Sequence, residues 1–201
     1  IGLCSESYKL QTKDCIVRNN FVYNNFRTGI YMGAYLGFDG LSTKSCYVVN
    51  NTLFNNILKG GQLDGTNNYL KVNDRDNSSE GEIRLSELCE ENVIANNIIY
   101  ALSDRDIFIR KYTTSGKNNF IGGNIYFSPN KKNHKWMWDG KEYTDFSAWQ
   151  AASGDRTSVF NVDPLLKSTR TRQPDLHLKS VSPAIGTGLV YRGYVIGMFD
   201  I

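Results

Sequence analysis

One short pattern returns four times along this chain, and it limits the available folds more than any other feature. CIVRNNFVYNN (15–25) is followed by SCYVVNNTLFNN (45–56), ENVIANNIIYAL (91–102) and KNNFIGGNIYFS (117–128). Aligning Asn20, Asn51, Asn97 and Asn124 gives steps of 31, 46 and 27 residues, unequal but each the size of one repeat unit. Three positions before the aligned asparagine stand Val17, Val48, Ile94 and Ile121, and two positions after it Val22, Leu53, Ile99 and Tyr126. A second recurrence precedes each motif: Ile1-Gly2-Leu3, Ile30-Tyr31-Met32, Ile83-Arg84-Leu85 and Ile107-Phe108-Ile109. Its apolar residues alternate with the period of a half-buried strand.

Two short strands per period, no helical periodicity and like residues at like positions describe a solenoid, a parallel β-helix in which each coil buries the face of its neighbour. Asparagine suits the corners of such a coil because it tolerates the left-handed backbone. Stacked asparagines can also hydrogen-bond to one another up the column. A β-sandwich would not place matched apolar residues at both strand positions. The four cysteines at 4, 15, 46 and 89 show no CxxC spacing, which argues against zinc and redox motifs. Cys15 and Cys46 fall in one column and read as small buried apolar residues rather than a disulfide.

The expected organisation is coils over 1–128, with a polar, glycine-rich loop at about 60–81, and a carboxy-terminal cap and tail over 129–201. In the cap, Thr144 to Ala152 has the composition of a short helix with Thr144 as N-cap and Gly154 as C-cap. A formal charge of +3 is too slight to argue for nucleic acid. No apolar run is long enough to span a membrane, and IGLCSESYKL lacks the zones of a signal peptide. The chain opens without methionine directly on a strand, so further coils are expected upstream or on a separate chain. The sequons at Asn50 and Asn77 would matter only in a secreted eukaryotic protein.

The stretches DGKEYTDFSAWQAASGDRTSVF (139–160) and VDPLLKSTRTRQPDLHLKSVSPAIGTG (162–188) resemble the carboxy-terminal part of bacterial right-handed parallel β-helix repeat proteins of the pectate-lyase-like superfamily. IGLCSE and IYMG followed by VVNNTLFNN resemble that group's coils, so the likeness covers essentially the whole chain. The resemblance implies an all-β, right-handed parallel β-helix with an irregular cap. It also implies a secreted, cell-surface or periplasmic location and a polysaccharide partner, with a lyase or glycoside hydrolase as the first expectation and a non-catalytic glycan-binding or structural segment as the alternative.

In the repeated I-x-L strand the intervening residues face outward. Three surface columns follow: Gly2, Tyr31, Arg84, Phe108; then Cys4, Gly33, Ser86, Arg110; then Glu6, Tyr35, Leu88, Tyr112. Glu82 and Asp106 stand at strand entries. Tyr31, Tyr35, Phe108 and Tyr112 would stack on sugar rings while charged groups hold carboxylates and hydroxyls. Exposed strands favour aromatics for their own sake, and Arg–Glu neighbours also arise as simple cross-strand pairs.

Two mechanisms could use this strip. Hydrolysis needs two carboxylates roughly 5–9.5 Å apart, which Glu82 with Asp106, or Glu6 with a partner, would supply. Elimination from a uronate needs a cation and a base, for which Arg84, Arg110 and Lys111 are candidates, with Asp104 and Asp106 as candidate calcium ligands. His134 and His177 lie in the tail, and His177 reads as an exposed strand residue. Trp136, Trp138 and Trp149, near Lys131, Lys132, Lys135 and Lys141, fit a cover for the open end of the solenoid better than a sugar-stacking lid. No phosphate loop, nucleophile elbow or HExxH motif is present.

Overall fold

The computed structural model describes residues 1–57, 81–102, 107–130, 135–191 and the backbone of 194–195. The expected loop at about 60–81, all but its last residue, lies outside the described residues, as do Asn77, Asp104, Asp106, Lys131, Lys132 and His134.

The first period runs β1 (Gly2–Cys4), β2 (Thr12–Lys13), β3 (Ile16–Arg18) and β4 (Phe21–Tyr23), and the second β5 (Ile30–Gly33), β6 (Thr43–Lys44), β7 (Tyr47–Val49) and β8 (Thr52–Phe54). Then come β9 (Gly81–Leu85), β10 (Val93–Ala95) and β11 (Ile98–Tyr100), followed by β12 (Ile107–Lys111), β13 (Phe120–Gly122) and β14 (Ile125–Phe127). The remainder holds β15 (Lys135–Trp138), β16 (Lys141–Tyr143), α1 (Phe146–Ser153), β17 (Val159–Phe160), β18 (Leu166–Ser168), β19 (Asp175–Leu178), β20 (Val190–Tyr191) and β21 (Tyr194–Val195).

The fold is all-β with parallel sheets. Each period gives one strand to each of three sheets, ordered β1-β5-β9-β12-β15-β16, β13-β10-β7-β3 and β17-β14-β11-β8-β4. Pairing is parallel except where β16 turns back on β15 and in the small tail sheets. Both asparagine-anchored apolar columns are in the expected register: Val17–Val48–Ile94–Ile121 and Val22–Leu53–Ile99–Tyr126. From the second period onward their members are at most 2% exposed, and each buried side chain contributes roughly 1.5–3 kcal/mol.

The asparagines hold the corners by a regular donor and acceptor relay. Asn20 donates its backbone N–H (3.1 Å) and Nδ2 (2.9 Å) to Asn51 Oδ1. Asn51 donates likewise to Asn97 Oδ1, both at 3.0 Å, and Asn97 to Asn124 Oδ1 at 2.9 and 3.0 Å. The Ser158 hydroxyl closes the column, accepting from the Asn124 N–H. A second column runs from the Cys46 N–H to Asn92 and Asn119. A third runs from Asn25 to Asn56 and ends on Glu82.

Three expectations change. The parallel sheets continue past Ser128: β15 pairs with β12 and β17 with β14, so part of the presumed cap extends the repeat. Asp145, rather than Thr144, caps α1, because its carboxylate accepts from Ala148 N–H (2.7 Å) and the Ser147 hydroxyl (2.6 Å). Gly154 ends the helix with φ 76°, as expected. The third change is in β12, which pairs with β9 two residues away from the alignment of Ile107 with Ile83: Ile109 lies opposite Ile83 and Arg110 opposite Arg84.

Trp136 and Trp149 are fully buried and stacked 5.5 Å apart, with Phe108, Tyr126, Phe146 and Phe160 around them. They close the core beneath β15 and α1. All four cysteines are free thiols; Cys46 and Cys89 are buried, Cys15 is half-buried and Cys4 is exposed.

Candidate functional site

The shifted register of β12 rebuilds the outer face of the first sheet. One column now reads Gly2, Tyr31, Arg84, Arg110 and Met137. Two arginines therefore stand side by side on hydrogen-bonded strands, about 4.8 Å apart along the sheet normal to the strands. Like charges at that separation need support, and an aromatic face supplies part of it. The Arg110 guanidinium lies 4.5 Å from the Tyr112 ring centre and the Arg84 guanidinium 4.8 Å from the same ring. Arg84 is also 5.2 Å from the Tyr31 ring, so it sits between two tyrosines.

Hydroxyl groups lock the rings. Arg84 Nη2 donates to the Tyr112 hydroxyl at 3.2 Å, that hydroxyl shares a short hydrogen bond with the Ser86 hydroxyl, and Tyr31 donates to the carbonyl of Ala34 at 2.7 Å. Burial pushes the Tyr31 phenol up to about 12, although Ser86 and Arg84 pull in the opposite direction, so Tyr31 stays a neutral donor at physiological pH. Arg84 and Arg110, expected on exposed surface columns, are instead buried at 7% and 2% exposure, so their charges act in a low dielectric.

The remaining candidates separate. Phe108, expected on the outer face, is fully buried and packs on Tyr126, Trp136 and Phe160, because the bulge against β15 turns it into the core. Glu82, expected as an outward carboxylate, is fully buried as the terminal acceptor of the third corner column. It takes Asn56 N–H at 3.1 Å and Asn56 Nδ2 at 2.6 Å. Lys111 is 2% exposed; its ammonium donates to the Thr113 carbonyl at 2.7 Å, forms a short ion pair with Asp139 and lies 5.6 Å from the Trp138 ring. Glu6 is exposed on the loop after β1, and Tyr35 is half exposed on the loop after β5. Asp106, the proposed partner of Glu82, is outside the described residues.

Sequence reasoning missed Ser86 as a tyrosine lock and Glu87 as a loop anchor. Glu87 Oε1 accepts from Gly37 N–H at 3.0 Å and Oε2 takes a short bond from Ser115, joining loops of different periods. His177 is half-buried, with Nδ1 2.6 Å from Asp175 Oδ1 and its ring against Phe21. No group of three or more metal-ligating side chains gathers among the described residues. A cavity of about 90 Å³ separates the corner residues Asn19, Asn50 and Asn96 from the tail, but no titratable side chain lines it.

No protein-family profile matches the chain, and no solved structure matches it. The uncharacterized protein YwoF of Bacillus subtilis (strain 168) is 30% identical over 171 residues, 84% of this chain and 31% of that protein. The chain thus spans about a third of the length of the relative it matches. No described helix is long and apolar enough to cross a membrane.

Proposed function

We propose that this chain is a segment of a right-handed parallel β-helix protein, secreted or exposed at the cell surface, that holds an acidic polysaccharide without cleaving it. The β-helix reading is supported by the strand order: every period visits the same three parallel sheets in the same sequence. Right-handedness follows from the general rule that crossovers between parallel strands take that hand in about 98% of cases.

The single observation that carries the binding reading is the Tyr31–Arg84–Tyr112–Arg110 array, with guanidiniums on tyrosine faces and hydroxyls fixing the rings. A guanidinium fork matches a carboxylate in two hydrogen bonds, while a tyrosine face and its hydroxyl suit the body and rim of a sugar ring. Binding is favoured over cleavage because two of the candidates for chemistry, Glu82 and Lys111, are engaged elsewhere. Glu82 is spent on Asn56 and Lys111 on Asp139, which leaves no described carboxylate pair and no uncommitted lysine base on the strip.

The test is calorimetric titration with oligogalacturonate, oligoalginate and xylohexaose, in calcium and in chelator, while reducing ends and the ultraviolet absorbance of unsaturated uronates are followed. Acidic ligands are expected to bind with no product. Arg110→Ala should weaken binding tenfold or more, and Arg84→Lys, which keeps the charge but loses the fork, by several-fold. New reducing ends would overturn the reading in favour of an enzyme, a lyase if absorbance accompanies them and a hydrolase if it does not. Absence of binding by a folded sample would overturn the glycan reading itself.

A further inference from the structure

The loops that follow β1 and β5 carry an aromatic surface that the arginine strip does not use. Tyr8 and Tyr35 are 69% and 50% exposed, whereas Phe38 between them is 4% exposed. Both tyrosine rings pack on Phe38, at centroid separations of 5.2 and 5.1 Å and tilts of 51° and 55°. Phe38 is a buried wedge that props two rings outward.

An exposed loop tyrosine is ordinarily free to rotate, but these two loops are tied down. Tyr8 donates its hydroxyl to Asp39 Oδ1 at 2.9 Å. The Leu41 N–H donates to the Ser7 carbonyl at 2.8 Å, joining one loop to the other in an isolated antiparallel bridge. Gly37 N–H reaches Glu87 Oε1, which anchors the second loop to the third period. Gly40 is the position that lets the rings settle: a Cβ there would stand 2.5 Å from Phe38 Cζ and 3.0 Å from Tyr8 Cδ1. Ring order of this kind lowers the entropy lost when a ligand docks.

We propose that Tyr8 and Tyr35 form a second saccharide subsite, for a neutral pyranose. The ligand class follows from the chemistry of the patch. Two pinned aromatic faces match the C–H face of a sugar ring, and the phenolic hydroxyls and the Asp39 carboxylate at their rim match its hydroxyls. An aliphatic peptide would bury that carboxylate with no partner of its own to offer it, at a cost. A uronate would meet like charge from Asp39, so the subsite takes the uncharged residue. The choice of a saccharide rests on the glycan reading above, and the location fits it. Tyr31 donates to the carbonyl of Ala34, the residue beside Tyr35, so the platform adjoins the arginine strip. A polysaccharide carrying both acidic and neutral sugars would engage both.

The experiment titrates the intact chain with two probes, xylohexaose and hexagalacturonate. Tyr8→Ala and Tyr35→Ala, both exposed and therefore compatible with folding, should each weaken xylohexaose binding about tenfold and leave hexagalacturonate unchanged. Gly40→Ala, which crowds the Phe38 wedge and the Tyr8 ring, should weaken xylohexaose at least as much as Tyr8→Ala. Arg110→Ala should show the reverse pattern. Xylohexaose affinity indifferent to both tyrosines, or absent while hexagalacturonate binds, overturns the platform and leaves the strip standing. Tyrosine-dependent xylohexaose binding without hexagalacturonate binding overturns the strip and leaves the platform. Tyrosine-dependent self-association in sedimentation, with no saccharide bound, would make the patch a protein interface and overturn the inference.

Discussion

Within each asparagine pair the two residues do different jobs. Asn19, Asn50 and Asn96 take the left-handed backbone, with φ of 55°, 56° and 56°, and the chain turns there. Asn20, Asn51 and Asn97 form the amide column. Gly123 stands in for the first member ahead of Asn124, with φ 64°. The pair was legible in the sequence as a corner, but the division of labour was not, because one side chain serves either role. It predicts an asymmetric mutational response. Asn50→Gly should change stability by less than about 1 kcal/mol, since glycine adopts positive φ freely. Asn51→Gly should cost about 2–4 kcal/mol in urea unfolding, because it strands the Asn20 donors and the Val17 carbonyl. Equal losses would contradict the assignment.

Asp155 illustrates a residue whose role only its burial reveals. It is 2% exposed; Oδ1 accepts from Thr157 and Ser158 N–H, each at 3.0 Å, and Oδ2 has no hydrogen-bond partner among the described residues. Desolvation raises its pKa above the ordinary 3.8, outweighing the hydrogen bonds from Ser158 and Thr157 that lower it. A carboxyl with a raised folded pKa binds its proton more tightly when folded. Its contribution to stability is therefore lost as pH rises from below 3.8 through the raised value, and regained on acidification. Asp155→Asn keeps an Oδ1 acceptor and cannot titrate. Melting temperatures measured across that range should fall with rising pH more steeply in the parent than in the variant, and parallel curves would refute the shift.

At the scale of elements, the alternation of apolar residues fixed which face of each strand is buried, and the asparagine-anchored strands came out in the expected register. β12 did not. A slip of one residue would have exposed its apolar set, but a slip of two preserves alternation, so the pattern Ile107-Phe108-Ile109 could not distinguish the alternatives. What decided it was three-dimensional. The observed register brings Arg110 and Tyr112 beside Arg84, so that one ring holds the charges of both arginines, while the bulge against β15 turns Phe108 into the aromatic core. Neighbouring strand positions fall within disulfide reach, so the register can be tested by cross-linking. With the accessible Cys4 and Cys15 changed to serine, Arg84→Cys with Arg110→Cys should oxidise readily and Arg84→Cys with Phe108→Cys should not. The opposite result would restore the sequence alignment and disperse the candidate strip. α1 shows a smaller version of the same limit: Thr144 and Asp145 are both good caps, and the carboxylate that reaches Ala148 is known only once the turn is built.

For the whole molecule, the sequence by itself determined an all-β chain, the positions of its repeated strands, the apolar columns inside them and the asparagine corners between them. Those properties are periodic, and periodicity needs no knowledge of neighbours beyond the repeat. It also indicated that the tryptophans serve as a cover; Trp136 and Trp149 are fully buried, but Trp136 lies on β15, which extends the repeat. The tertiary structure alone decided where the charges go. Glu82 reads as a surface acid, yet it becomes the last acceptor of a buried amide column; Lys111 reads as a free base, yet it is clasped by Asp139 and a carbonyl. Tyr8, four residues beyond β1, becomes a neighbour of Phe38, on the loop after β5 that also carries Tyr35, only because the two loops bridge. Burial of a charge and the meeting of distant loops depend on long-range packing and desolvation, which a local pattern of residue types does not encode.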